Sequence, residues 1–420
     1  MRILFVTPYP PTRIHVRSYG FLTQLQREHE VTVVTQCASK QEIAAAQVLQ
    51  QQGYEVVIVP EARQQAILRA GLALFSSRPL QVAYARSQRF TRAVQDLCAS
   101  HSYDVVHVEH LRGIASMEPL AHTLPLVWDA VDCISLLCKQ TIVGGPNLTV
   151  RTVARLEHKR TQRYEAKLLG EFPQVILTSE RDRRAMIELR RMHMHDLTSS
   201  DAALEAGIAV LPNGVDLEYF RPVHQERRRF NLVFSGKMSY HANVATALYL
   251  HRQIMPLIWQ RQPDAVLTIV GSKPPSIIQR LASDPRVEVT GYVSDIRPYI
   301  ARAEVMLSPM VYSVGIQNKV LEAMALGTPV VVAAQAASAL ATRPGHELLV
   351  AESPGDFAEA ALRLMEEAEL RAMLSENGRS YVERHHDWHV VTDRLVDVYQ
   401  QTIASTQVRG RGKTSSKESQ

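Results

Sequence analysis

Short, continuously apolar runs alternate with longer segments of helical spacing along most of the chain. In the first half the runs are ILFVT (3–7), VTVVT (31–35), YEVVIVP (54–60), DVVHVE (104–109), PLVWDAV (125–131) and QVILTS (174–179). The second half repeats the pattern with FNLVFSG (230–236), AVLTIVG (265–271), VEVTGY (287–292), VMLSP (305–309) and PVVVAA (329–334). A strand half-exposed to water alternates apolar with polar positions, whereas an unbroken run marks a strand covered on both faces, and hence a parallel sheet. Two Rossmann-like α/β domains are predicted, without a repeat between them at the level of sequence. Their boundary is expected within the polar stretch at 202–208, giving a first domain at 1–205 and a second at 206–385. A last helix at 386–404, built on WHVVTDRLVDVY (388–399), is expected to return to the first domain. From 405 the chain is rich in Gly, Ser, Lys and Arg without apolar periodicity, and disorder is expected there.

The segment at 315–327, GIQNKVLEAMALG, carries the clearest chemistry. Ile316, Val320 and Met324 form an apolar helical stripe, Gly327 suits a C-cap, and Pro329 stops the helix before a buried strand. Lys319 and Glu322 lie three apart on one face near the helix start, where free N–H groups and the dipole favour an anion. A nucleoside diphosphate uses both: the ammonium meets phosphate oxygens and the carboxylate accepts from a ribose diol. The plain alternative is a surface salt bridge between the two.

Composition is that of a large folded protein. A chain of 420 residues exceeds one ordinary core, and 46% hydrophobic residues suffice for two. The 47 basic and 42 acidic residues are mixed and leave +5. That excess is too weak to imply nucleic acid, but it suits a nucleotide-sugar donor or an anionic membrane surface. The opening MRILFVTPYPP is expected to be a first strand rather than a signal peptide, and no run approaches the ~20 apolar residues of a membrane span. A cytoplasmic location is expected, with or without peripheral contact at the inner face of the membrane. Cys37, Cys98, Cys133 and Cys138 lack zinc spacing and are expected as reduced thiols. The charged helix expected at 150–169 is either a solvated face or a basic surface for anionic lipid.

The segment at 315–327 resembles the donor-sugar motif of family 4 retaining glycosyltransferases of the GT-B architecture. IAVLPNGVDLEYFRP (208–222), FSGKM (234–238), TIVGS (268–272), VTGYVSD (289–295) and AEVMLSPM (303–310) precede it in that family's order. GIQNKVLEAMA, FSGKMSYHAN and Arg17-Ser18-Tyr19 most resemble the sugar transferases encoded in bacterial exopolysaccharide and PEP-CTERM sorting loci. The resemblance implies two parallel-sheet domains facing across a cleft. It also implies sugar transfer from a nucleoside diphosphate sugar to a hydroxyl acceptor, a glycan or a lipid-linked glycan, with retention and with no cofactor. A UDP-sugar 2-epimerase of the same architecture, and a degenerate protein that binds nucleotide sugar without turnover, remain as alternatives.

Carried over position by position, the resemblance places donor-binding atoms at Gly236, Lys237, Gly271, Gly315, Ile316, Gln317, Asn318, Lys319 and Glu322. It sets Gly291, Tyr292 and Val293 against the base. Lys237 and Lys319 would stabilise the departing diphosphate, so that no metal is expected. There are departures: the family's first motif glutamate is Val314 here, Asn243 stands near the place of a second basic residue, and the glycine pair of the first domain is absent from 8–18. Arg13 or Arg17 could substitute there, or be plain surface arginines. On the acceptor side, Asp129 and Asp132 follow the strand at 125–131, Asp129 near the position of a histidine in many relatives. Each would orient or deprotonate an acceptor hydroxyl, or merely cap a loop. His107 and Glu109 alternate with apolar positions and suit an interior; His110 is a further acceptor-side candidate.

Overall fold

The apolar runs of the first half form one parallel sheet. The computed structural model describes residues 1–121, 124–145, 148–172, 174–193, 205–222, 226–310 and 316–415. Its first sheet comprises β1 (Arg2–Thr7), β2 (Glu30–Cys37), β3 (Glu55–Pro60), β4 (Val105–Glu109), β5 (Leu126–Val131), β6 (Val175–Leu177) and β7 (Ile208–Val210). They pair in the order β3-β2-β1-β4-β5-β6-β7. Along β1, Leu4 and Val6 enter one apolar cluster while Ile3 and Phe5 enter the other, which is why the run is unbroken. The order reverses between β1 and β4, and open sheets of this kind bind ligands beyond the carboxyl ends of strands at such a switch point.

The second sheet is built likewise from β8 (Asn231–Ser235), β9 (Val266–Val270), β10 (Val287–Val289), β11 (Val305–Ser308), β12 (Val330–Ala333) and β13 (Leu349–Ala351). Their order is β10-β9-β8-β11-β12-β13, with the switch between β8 and β11. Leu232 and Phe234 face one core, Val233 the other. The edge strand β13 was not expected from the sequence; three residues at a sheet edge carry little periodicity.

Contacts divide the chain into a unit of residues 1–139, 153–213 and 388 onward, and a second of 140–152 and 214–387. The boundary therefore falls at 213/214 rather than 205/206. The run expected to open the second domain is β7, which pairs with β6 through Val175–Ile208, Ile176–Ala209 and Leu177–Val210. Arg183 adds a hydrogen bond from Nε to the Ile208 carbonyl at 3.1 Å.

The final helix, Trp388–Ser415, packs within the first unit through Trp388, Val391, Leu395, Val398 and Tyr399. Gly20 makes room for it, since a Cβ there would lie 2.1 Å from the Trp388 ring. The helix continues past Ser405, from which disorder was expected, and residues 416–420 lie outside the described residues. The long charged helix runs Leu148–Glu171 and is not simply a solvated face. Glu165 is buried and accepts from the backbone N–H groups of Ile134 (2.7 Å) and Ser135 (3.2 Å), capping the Ile134–Gly144 helix. Among the described residues, no helix is long and apolar enough to cross a membrane.

Candidate functional site

In the second unit the loops after β8 and β9 lie against each other with no room for side chains. Gly236 has φ +153° and donates its N–H to the Val270 carbonyl at 2.9 Å. A Cβ on Gly271 would stand 1.8 Å from the Gly236 carbonyl oxygen, and one on Gly236 would stand 2.7 Å from Asn243 Nδ2 and 3.1 Å from Lys319 Nζ. Gly271→Ala is therefore expected to cost about 1–3 kcal/mol as the loops are forced apart. Thermal melting measures it, and an unchanged melting temperature would mean the loops are not packed this tightly.

Beside those glycines sits Lys319, on the helix Asn318–Ala325. Ile316, Val320 and Met324 bury the expected stripe. Gly327 at φ +73° ends the helix, with N–H bonds from Gly327 to the Met324 carbonyl and from Thr328 to that of Ala323. Lys319 Nζ donates to Asn243 Oδ1 at 2.6 Å, lies 4.4 Å from the Phe234 ring centroid and 3.8 Å from Met310 Sδ. Asn243 Nδ2 donates in turn to the Lys237 carbonyl at 3.0 Å. Asn243, singled out from the sequence only as a missing cation, is thus the bracket that aims Lys319.

Burial pushes Lys319 down to about 7 against the opposing pull of Glu322, and pushes Glu322 up to about 7 against that of Lys319. Both side chains are half-buried, and among the described residues no ion pair joins them. The surface salt bridge that offered the plain alternative is absent. An ammonium left near neutrality beside two backbone-lined loops is a place where an anion would be stabilised.

The remaining donor-side candidates are placed unevenly. Lys237 is exposed in the turn after β8. Gln317 accepts from Ser308 Oγ at 2.7 Å, which ties the helix entry to the end of β11. Asn318 opens the helix. Gly291 has φ +69° with nothing within 4 Å of a Cβ, Tyr292 is 79% exposed and Val293 is half-buried, so this stretch forms an open edge. Gly315 and Val314 lie outside the described residues.

At the carboxyl ends of β4 and β5 in the first unit, the structure revises the expected roles. Arg17 is neither a surface arginine nor an exposed cation for phosphate. It is 4% exposed, and its Nε donates to Asp129 Oδ2 at 2.7 Å. Its Nη1 donates to the carbonyls of Leu211 (3.1 Å) and Pro212 (3.3 Å) and to Asn213 Oδ1 (3.1 Å). Asp129, fully buried, is committed to that pair and is poorly placed as a base. His107 lies 3.6 Å from the same carboxylate, but burial pushes it down to about 4, so it is neutral. Tyr399 bonds its Nδ1 at 2.9 Å and the Phe5 ring stacks on it at 4.4 Å.

Asp132 is the more available carboxylate. The register between β5 and β6 shifts between Asp129 and Val131, and Val131 takes φ +68°, a strained value for a β-branched residue. The bulge separates the environments of the two aspartates. Asp132 is half-buried and accepts from Thr178 Oγ1 at 3.0 Å, and burial with the nearby charge of Asp182 pushes it up to about 7. Glu109 is pushed up to about 8, by burial and then by Asp129. Its Oε1 accepts from Tyr9 at 3.4 Å. Three buried polar atoms, Glu109 Oε2, Arg17 Nη2 and His107 Nε2, have no hydrogen-bond partner.

His110 has φ +65° and its Nδ1 accepts from the Arg112 N–H at 3.2 Å; burial, then the charge of Arg112, drives it down to about 3. That makes it a neutral residue at the start of the His110–Ile114 helix rather than a proton donor near neutrality. Arg13 is exposed in the turn before the Val16–Leu25 helix. Burial pushes the Cys133 thiol up, and Cys138 up to about 12, so neither is a reactive thiolate. Among the described residues, no cluster of His, Cys, Asp or Glu is arranged to hold a metal ion.

Residues 229–367 match the family model described as Glycosyl transferases group 1. The chain is 29% identical over 212 residues to the GDP-mannose-dependent monoacylated alpha-(1-6)-phosphatidylinositol monomannoside mannosyltransferase of Corynebacterium glutamicum, covering 45% of this chain and 55% of that protein. The chain spans about half the length of the curated relatives it matches. The sucrose-phosphate synthase of Thermosynechococcus elongatus superposes with TM-score 0.69 at 15% identity, over 96% of this chain and all (100%) of that one. Anabaena HepE in complex with UDP superposes with TM-score 0.66 at 14% identity, over 96% and 100%. These likenesses establish the two-domain GT-B fold.

Proposed function

We propose that this protein transfers a sugar from a nucleoside diphosphate sugar to a hydroxyl acceptor, a glycan or a lipid-linked glycan, with retention of configuration. The observation that carries the proposal is Lys319. Its ammonium is bracketed by Asn243, set against the Gly236 and Gly271 loops at the carboxyl ends of β8 and β9, and, among the described residues, without a carboxylate in direct contact. The matching family model covers this region, and the curated relatives carry glycosyltransferase names.

Each residue has a physical task. As the bond from the anomeric carbon to the diphosphate oxygen breaks, charge accumulates on the leaving group, and Lys319 meets it together with Lys237 from the turn. Glu322 accepts the ribose hydroxyls, and the open edge at Gly291, Tyr292 and Val293 receives the base. The acceptor oxygen forms the new bond to the anomeric carbon, and its proton passes to Asp132 or to the departing phosphate oxygen. With cationic side chains on the leaving group, chelators of divalent metal should leave turnover intact.

Incubation with UDP-, GDP- and ADP-sugars, with and without alkyl glycoside or lipid-linked acceptors, tests the proposal. Acceptor-dependent release of one nucleoside diphosphate is expected, and that nucleotide at ~100 times its dissociation constant should add about 2.7 kcal/mol of stability. Nucleotide binding without release under any acceptor would leave a binding protein, and no binding at all would overturn the proposal.

A further inference from the structure

Away from both clusters, the first unit holds a cavity of about 860 Å³ bordered by the Arg63–Leu72 helix, the Ala73–Phe75 turn and the start of the Gln88–Ser100 helix. Five arginines line it: Arg69, Arg78, Arg86, Arg89 and Arg92. Arg69 is paired with Glu61 at 2.8 Å. Among the described residues the other four have no ion pair, although elsewhere in the molecule arginines find carboxylates readily. Four uncompensated guanidinium groups around one hollow repel one another, and an anion with several oxygens would relieve that repulsion by charge-assisted, bidentate hydrogen bonds.

The helix and turn that border the cavity also carry apolar side chains that face water, of which Leu72 lines the cavity itself. Ile67, Leu68, Leu72 and Leu74 are exposed, and Phe75 is 94% exposed. The turn that carries Phe75 is held from behind, because Arg160 on the long helix donates to the carbonyls of Ala73 (3.2 Å) and Leu74 (2.7 Å). Five large apolar side chains exposed within the nine residues 67–75 are uncommon on a monomer without a partner. A basic hollow edged by outward-facing aliphatic and aromatic side chains matches one class of ligand, an amphiphile with a phosphate head and a hydrocarbon tail.

We propose that this cavity binds the phosphate of a membrane lipid, with the rim at 67–75 entering the headgroup region. The proposal explains why the apolar side chains and the unpaired arginines occur together, which neither a solvated loop nor an internal core would require. Its use, to hold the protein where a lipid-linked acceptor lies, rests on the transferase function proposed above; the binding itself does not.

Co-sedimentation of the full chain with phosphatidylcholine vesicles, and with vesicles that also contain phosphatidylglycerol, tests it. The wild-type protein should bind the anionic vesicles. The Arg86→Gln/Arg89→Gln variant should lose on the order of tenfold in partition to them, and Phe75→Ser should weaken binding by about as much while leaving the response to soluble pyrophosphate intact. Failure to bind either vesicle, or equal binding to both that ignores the arginine variant, overturns the proposal. If pyrophosphate stabilises the wild-type protein but not the arginine variant while vesicles are ignored, the hollow takes a soluble phosphate compound and the lipid assignment fails. A dimer in sedimentation velocity that Phe75→Ser dissociates would show that a second copy covers the rim, which also overturns it. Nucleoside diphosphate binding, measured on the same variants, should be unchanged. Its retention without vesicle binding defeats this inference alone, whereas vesicle binding without nucleotide binding defeats the transferase function alone.

Discussion

Replacing Arg17 by methionine is expected to destabilise the first unit by about 3–5 kcal/mol, the penalty for leaving one member of a buried ion pair without its partner. Asp129 is fully buried and receives the Arg17 Nε–H at 2.7 Å, while among the described residues the only other cation-forming group within 4 Å, His107, is held neutral. Arg17 also satisfies the carbonyls of Leu211 and Pro212, so its loss orphans backbone acceptors as well. Asp129→Asn should show a loss of the same kind. In Arg17→Met/Asp129→Leu, by contrast, both charges are gone and most of the stability should return. Denaturant unfolding followed by fluorescence gives the measurement, because Trp128 and Trp388 both belong to the first unit. Midpoints that do not move in the single variants would show that the pair is solvated. Asp132→Asn is expected to behave differently, lowering transfer while nucleotide affinity stays within about twofold, inside the range of ordinary surface substitutions.

Lys319→Ala is expected to lower turnover by roughly 10²–10³-fold, the usual cost of removing one preorganised group that meets developing charge, with a smaller change in the donor Michaelis constant. Its pH dependence distinguishes this role from a packing role. With Lys319 at about 7 in the unliganded protein, the ammonium is already charged below that pH, so diphosphate binding takes up no proton there. Above pH 7 the lysine is neutral until the diphosphate raises its pKa, so binding draws in a proton and affinity falls as pH rises. Glu322, also at about 7, loses its charge as pH falls and with it part of its affinity for the ribose hydroxyls. Affinity should therefore peak near neutrality, and the alkaline slope should vanish in Lys319→Ala. Calorimetry in buffers of different ionisation enthalpy reads the proton uptake directly; an alkaline limb that survives in the variant would assign it to another group.

The unbroken apolar runs made two parallel sheets legible, because residues such as Leu4 and Phe5, or Val233 and Phe234, enter cores on opposite faces. What the runs could not convey was membership. Ile208–Val210 has the composition of either sheet, and only pairing with β6 assigns it to the first. The Lys319 and Glu322 pair was legible from helical spacing, but the function of Asn243 was not, since its contacts span 76 positions of sequence to Lys319. The same limit hid the Arg17–Asp129 pair, 112 positions apart. Each residue taken singly suits a surface or a cleft, and only their mutual burial makes one the internal counter-charge of the other. The arginine-lined hollow is illegible in the sequence for a further reason: its residues come from several short elements with no common period.

Calorimetric titration of wild type and Glu322→Gln with the nucleoside diphosphate selected by screening decides whether Lys319 and Glu322 form the proposed donor site. The variant should lose roughly 1.5–3 kcal/mol of binding free energy, the value of a hydrogen bond to a charged group, with an unaltered melting temperature in the absence of nucleotide. Equal affinity in the two proteins would remove Glu322 from the site and overturn the donor assignment.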